Sequence, residues 1–231
     1  MICKLPGISI YFEASAVNTA TPILFLHSAL GSSDEMRPIR ALFPERSVIL
    51  LDLPGHGKTT EEFGSMTASS VAEIIVQFLE RLRIPKVDII GYSLGGYIGL
   101  ELAVSHSSRV QSVITHAMKF YWTPEAIESA VSTFSKAPVA ERTLRMTESL
   151  IRDFSQKQLH GEDIRNSKIP LLITTGERDE FVTSAEVTRL WEEIGGRNAS
   201  FAIFPNAGHS LRKLPLDVFA QTGREFWRSI I

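Results

Sequence analysis

The stretch Lys86 to Gly91, KVDIIG, is an apolar run with the length of a strand, and the apolar pattern of a helix begins again at Leu94. Only Tyr92 and Ser93 separate the two. A strand that passes into a helix so abruptly brings the two backbones close together, and Gly91, Gly95, Gly96 and Gly99 supply the room. The turn forces Ser93 into a strained backbone conformation. Its hydroxyl is carried to the amino end of a helix, where the peptide dipole favours developing negative charge. A glycine-rich turn that merely packs a helix on a sheet would read the same over these five residues, so the rest of the chain must discriminate.

Short apolar runs alternate with longer amphipathic ones. Gly7 to Glu13 alternates as a half-buried strand does, whereas Pro22 to His27 and Ser47 to Leu53 are continuous apolar runs that stop at turn residues, as strands buried on both faces do. Ser69 and Ser70 are cap candidates for a helix running to about Arg83, with Val71, Ile74, Ile75, Phe78, Leu79 and Leu82 on one stripe and Pro85 beyond its end. Further strands are expected at Arg109 to His116, Ile169 to Gly176 and Ala199 to Phe204. Helices are expected from Leu94 to about His106, from Ser184 to Ile194 and from Leu216 onward.

This alternation predicts an α/β fold: a mostly parallel central sheet with helices on both faces. Right-handed crossovers then align the carboxyl ends of the strands along one edge, where sites collect. From about 117 to 163 the pattern is helical without a convincing strand. We read residues 1–231 as a single domain with this stretch as a short helical cap over that edge.

Composition closes off several function classes. With a formal net charge of −2 and no long basic or acidic run, nucleic acid and anionic membrane are poor partners. No apolar run approaches the roughly 18 residues of a membrane span. Cys3 is the single cysteine, so no intrachain disulfide forms and a reducing, cytoplasmic location is expected. The first residues lack the basic and apolar regions of a signal peptide.

A serine hydroxyl needs a base, and the base needs an orienting carboxylate. Both should follow later strands. TTGERDEF closes the strand ending at Gly176 and offers Asp179; FPNAGHSL closes the strand ending at Phe204 and offers His209, the only histidine after Asp179. Ser93, Asp179 and His209 thus each lie just beyond an expected strand. Glu177 and Glu180 compete for the acid role, and the short carboxylate of Asp179 is preferred, with Glu180 second. The anion formed by attack on a carbonyl needs donors. The backbone N–H of Leu94 is one candidate and that of Ala29, in HSALGSSDEM, the other. His27 is expected to brace this loop by hydrogen bonding.

At this point the chain resembles the α/β-hydrolase fold superfamily over nearly its whole length. LFLHSALGSS, LLDLPGHGKT, IIGYSLGGYIGLELA, LLITTGERDEFV and PNAGHSL occur in the expected order and spacing. The resemblance implies Ser93 as nucleophile, His209 as base, Asp179 as its orienting acid, and an oxyanion hole from Ala29 and Leu94. One departure is Ser28, where many members have glycine. Within the superfamily the chain resembles carboxylesterases, the pimeloyl-carrier-protein methyl ester esterases and the menaquinone-pathway synthase. The synthase typically carries an arginine soon after the serine turn, where this chain has Tyr97.

The expected function is therefore cleavage of a small-molecule carboxylic ester or thioester through an acyl-enzyme, with no metal and no cofactor. A lyase or C–C bond hydrolase of the same fold and a non-catalytic ligand-binding member are the alternatives. A dinucleotide site is disfavoured because G-x-G-x-x-G is absent. Tyr92, Phe120, Tyr121 and Trp122 are candidate pocket walls, while His56 and His116 have no evident chemical task. Oligomeric state and the identity of the acyl substrate are not legible in the residues.

Overall fold

The apolar runs assemble into one sheet. The computed structural model describes residues 1–15, 21–196 and 198–230. Its strands are β1 (Ile2–Leu5), β2 (Ile8–Ala14), β3 (Ile23–Leu26), β4 (Val48–Leu51), β5 (Thr60–Glu61), β6 (Val87–Tyr92), β7 (Val110–His116), β8 (Leu171–Gly176) and β9 (Ala199–Phe204). The spatial order is β1-β2-β4-β3-β6-β7-β8-β9, with β5 paired to β2. From β4 to β9 every pairing is parallel; β2 joins β1, β4 and β5 antiparallel. Every residue of β3, β4, β6 and β8 is buried, as expected of strands covered on both faces.

Successive side chains alternate between two cores. Leu24, Leu26, Ile49, Leu51, Ile89 and Val113 point to one face, where α2 (Ala68–Arg81), α3 (Leu94–Ser105) and α7 (Ser184–Ile194) bury their apolar stripes. Ile23, Phe25, Val48, Leu50, Ile90 and Ile114 point to the other, covered by α1 (Ser33–Arg40) and α8 (Leu216–Ser229). Between β7 and β8 lie α4 (Pro124–Phe134), α5 (Glu141–Gln156) and α6 (Gly161–Ser167). α4 packs on α5, and α6 packs on α3 and α7. Among the described residues, no helix is long and apolar enough to cross a membrane.

The architecture is the one the alternation predicts, with local differences. α2 starts at a Thr67 cap, whose side chain accepts from the Ser70 N–H while Ser70 reciprocates, so the cap lies before the expected Ser69 and Ser70. α1 was not expected: it is short, offers only Met36 and Ile39 to the core, and contains Pro38. Its start is held from outside, because the Asp52 carboxylate accepts the Ser33 N–H at 2.6 Å. The helical stretch after β7 holds a third helix, α6, and reaches Ser167 rather than about 163.

The approach of α3 to the sheet is set by glycine. A Cβ on Gly95 would lie 2.2 Å from the Leu26 carbonyl oxygen and 2.6 Å from that of His27, both backbone atoms with no freedom to yield. Gly95→Ala is therefore expected to cost about 3 kcal/mol or more in a denaturant titration, whereas Gly64→Ala, with nothing within 4 Å, should stay within about 0.5 kcal/mol.

Candidate functional site

Ser93 stands at the joint between β6 and α3 with φ 51° and ψ −114°, a conformation that an L-residue adopts only under constraint. Its N–H donates to the His116 carbonyl at 2.9 Å, and its own carbonyl accepts from Gly96 at 2.9 Å. These bonds pin the backbone and leave the side chain at the mouth of a cavity of about 250 Å³, which Ser93, Leu94, Ala29 and His209 all line. Leu94 is the first residue of α3, where helix geometry provides no acceptor for its N–H.

His209 follows β9 and reaches Asp179, which follows β8. Its Nδ1 lies 3.0 and 3.1 Å from the two carboxylate oxygens. The Asp179 side chain is fully buried, whereas His209 is 26% exposed. Burial alone would raise the Asp179 carboxyl. The bonds it receives from His209 and from the Val182 and Phe181 N–H groups outweigh that and hold it below its ordinary value. Asp179 is thus ionised and accepts the Nδ1 proton, so a neutral His209 carries its lone pair on Nε2. The competing carboxylates are placed elsewhere. Glu177 accepts the Asn206 N–H at 3.0 Å, and Glu180 lines the cavity.

Of the three aromatics after β7, Trp122 lines this cavity; Phe120 and Tyr121 line a second one, beside α6 and α7. Tyr92 is not a wall of the serine cavity. It is buried against the α8 side of the sheet and its hydroxyl donates to the His209 carbonyl at 3.0 Å. Its ring centroid is 5.7 Å from the imidazole. A residue flanking the serine along a strand alternates to the opposite face, which is why adjacency in sequence misleads here.

The remaining walls come from residues to which no role was assigned in sequence. α4 presents Ala126, Ser129, Ala130 and Phe134, and α5 presents Ile151 and Phe154. Spacings of three and four place the α4 set on one helical face, a signal that was available in TPEAIESAVSTF. Phe181 stacks edge-on against His209 with centroids 5.1 Å apart. Lys119 is the cation of the lining, and Glu186, at 2.8 Å, and the Phe181 carbonyl hold its ammonium.

The three other buried imidazoles are locked as neutral tautomers. His27 Nε2 accepts the Leu53 N–H at 3.0 Å, so its Nδ1–H donates to the Ser28 carbonyl at 2.7 Å. His56 Nδ1–H donates to the Pro54 carbonyl, which leaves Nε2 to accept from Thr147. His116 Nδ1 meets Thr174 Oγ1, whose own proton goes to the Thr115 carbonyl; hence Nδ1 is the donor. Burial lowers all three, to about 4 for His27, about 3 for His56 and about 4 for His116. Among the described residues, no group of three or more His, Cys, Asp or Glu side chains is placed to hold a metal ion.

A strand–serine–helix turn, a histidine on a buried carboxylate and a parallel sheet that brings them to one rim invite comparison with known proteins. A family model described as the alpha/beta hydrolase fold matches residues 21–147, just over half of the chain. The chain belongs to that family. This α/β hydrolase is similar, at 25% identity over 226 residues, to the dihydrolipoyllysine-residue acetyltransferase component of an acetoin cleaving system from Cupriavidus necator; the match covers 82% of this chain and 59% of that protein. A shorter match, 41% identical over 78 residues, is to a pimeloyl-[acyl-carrier protein] methyl ester esterase from Yersinia enterocolitica, covering 33% of this chain and 28% of that one. The matches thus span less than two thirds of the length of both relatives. In fold it superposes on a thermophilic esterase from Thermogutta terrifontis with a TM-score of 0.82 at 20% identity, covering 96% of this chain and 94% of the other.

The buried imidazoles carry a consequence for stability. An unfolded histidine takes up a proton near 6.5, but these three resist until about 4, 3 and 4. Below pH 6.5 the unfolded chain binds protons that the folded one excludes, so stability falls with pH through that window, by up to about 1.4 kcal/mol per pH unit for each group. Asp179, held below its ordinary value, acts with the same sign, but only at more acid pH, from about its ordinary carboxyl value downward. The melting temperature is expected to drop steadily from pH 7 to 4.5. His116→Phe, which keeps a ring between Tyr92 and Phe219 and removes the titration, should give a shallower curve; an unchanged slope would show that His116 does not contribute.

Proposed function

We propose that this protein is a serine hydrolase that cleaves a carboxylic ester, or thioester, of a small uncharged acyl group. The observation that carries the reading is the His209–Asp179 pair on the rim of the cavity that also holds Ser93 at its strained turn.

In this reading the Ser93 Oγ attacks the acyl carbonyl carbon while His209 Nε2 takes the hydroxyl proton. Asp179 keeps the proton on Nδ1 and stabilises the imidazolium. The carbonyl oxygen, now an anion, accepts from the N–H groups of Ala29 and Leu94. Collapse of the tetrahedral intermediate breaks the bond to the leaving oxygen or sulfur, which takes its proton from Nε2. Water then attacks the acyl-enzyme, with His209 again as base, and the acid leaves as Ser93 recovers its proton. No step requires a metal or an organic cofactor.

The lining supports an uncharged acyl group. Ala29, Leu94, Trp122, Ala130, Phe134 and Phe154 are apolar, Lys119 is already engaged by Glu186, and Glu180 in the lining disfavours an anionic acyl group. Tyr97, which occupies the place of the synthase arginine, packs its ring 3.9 Å from that of Phe154 and accepts the Leu159 N–H with its hydroxyl at 3.1 Å. It offers no positive charge to an anionic substrate. The α4–α5 pair serves as the cap.

Ser93→Ala is expected to lower turnover of an activated ester by about 10³-fold or more and to abolish labelling by a fluorophosphonate probe. Wild-type turnover in a clean preparation of this variant would remove the assignment. Across p-nitrophenyl esters of increasing acyl length, kcat/KM should rise by roughly fourfold per methylene, the value of about 0.8 kcal/mol for each buried CH₂, until the cavity is filled. Ala130→Leu should move that optimum to shorter chains; an optimum that does not move would exclude α4 as the acyl wall.

A further inference from the structure

The loop that carries Ala29 is gripped from two sides, and one grip comes from a carboxylate that the proposed reaction does not use. Glu35, in the first turn of α1, points back at Ser28. A single oxygen, Oε2, accepts the Ser28 N–H at 3.0 Å and the Ser28 hydroxyl at 2.7 Å. The Ala29 carbonyl is a weaker competitor for that hydroxyl at 3.2 Å. On the other side, the Ser28 carbonyl accepts from His27 Nδ1 at 2.7 Å and from the Gly31 N–H at 3.2 Å.

These bonds define a direction. The peptide joining Ser28 to Ala29 is planar and trans, so the Ala29 N–H points opposite to the Ser28 carbonyl. With that carbonyl tied to His27 and the preceding N–H tied to Glu35, the peptide plane has little freedom. The loop depends on the grip because Leu30 follows at φ 62°, where a side chain is disfavoured. Gly31 leaves the space: a Cβ there would lie 2.6 Å from Glu35 Oε2. Where a glycine would be free to turn, Ser28 is fixed by its own hydroxyl.

We infer that Glu35 is a positioning residue for the oxyanion site, holding Ser28 by its N–H and hydroxyl so that the Ala29 N–H faces the cavity beside Ser93. The inference rests on the reading of Ala29 as an oxyanion donor. Both bonds end on one oxygen, so an amide oxygen in the same place can accept them both.

The test compares wild type, Glu35→Ala and Glu35→Gln with a p-nitrophenyl ester and with a boronic acid that forms a tetrahedral adduct on the serine. Glu35→Ala should lower kcat by about 10- to 100-fold, less than or equal to the loss of an oxyanion donor itself, with KM changed by no more than about twofold. Boronate affinity should fall in parallel, and Glu35→Gln should return both to within about threefold of wild type. A kcat unaltered in Glu35→Ala overturns the assignment. So does a loss that tracks a lowered melting temperature and that Glu35→Gln fails to restore, because that is a brace of the fold alone. Should Glu35→Ala not fold, Ser28→Ala removes the hydroxyl bond only, and an unchanged kcat with unchanged boronate affinity there counts against the assignment. Fluorophosphonate labelling of the wild type separates the two levels. An unlabelled, inert wild type sinks the hydrolase reading and this one together, whereas a labelled, active wild type matched by both Glu35 variants sinks only the role of Glu35.

Discussion

Everything at the rim of this sheet depends on how closely α3 approaches the strands. The backbone at Ser93 is held at positive φ by bonds to His116 and Gly96, and the helix that follows rests against the carbonyls of Leu26 and His27 where only glycine fits. That strain is tolerated because the sheet around it is over-determined: β3 and β6 are buried on both faces, and β3, β6 and β7 pair in parallel register. The same contact that strains the serine also fixes the distance between the serine and the loop after β3. The loop with Ala29 and the start of α3 with Leu94 are therefore neighbours by construction.

Around that joint, buried polar groups hold the loops, as neutral imidazoles and one hydrogen-bonded carboxylate. His27 links β4's end to the Ser28 carbonyl, and His56 links the turn after β4 to α5 through Thr147. Asp52 holds the first N–H of α1 and the Lys58 N–H at 2.7 Å, and Gly57 is required beside it because a Cβ would overlap its carboxylate. Each of these groups is expensive to bury unless fully bonded, so the loops they organise are specified tightly.

The cap-side walls of the cavity, by contrast, are built from side chains that carry no chemistry of their own. The short side chains of Ala126 and Ala130 on α4 set its width, and Trp122, Phe134 and Phe154 set its apolar character. Family membership is shared with esterases and acyltransferases alike, and the sheet and serine turn do not choose among them.

The strand runs, the helix stripes and the order Ser93, Asp179, His209 were legible in sequence because period and turn chemistry are local properties of the chain. α1 was not, since two apolar residues and an internal proline give no period, and its start is held by Asp52 from a distant strand end. The sequence preferred Asp179 to Glu177 and Glu180 for its short side chain, and in the fold it is Asp179 that meets His209 while Glu177 accepts the Asn206 N–H. Tyr92 turned out to brace His209 from the far face of the sheet, and Phe120 and Tyr121 to face a second cavity. By itself, then, the sequence determined the fold class and which side chains stand just beyond the strands, for these follow from spacing along the chain. Which side chains share a cavity, and which carboxylate grips which loop, was decided only by the tertiary structure, because those contacts join residues whose separation in sequence carries no information about their separation in space.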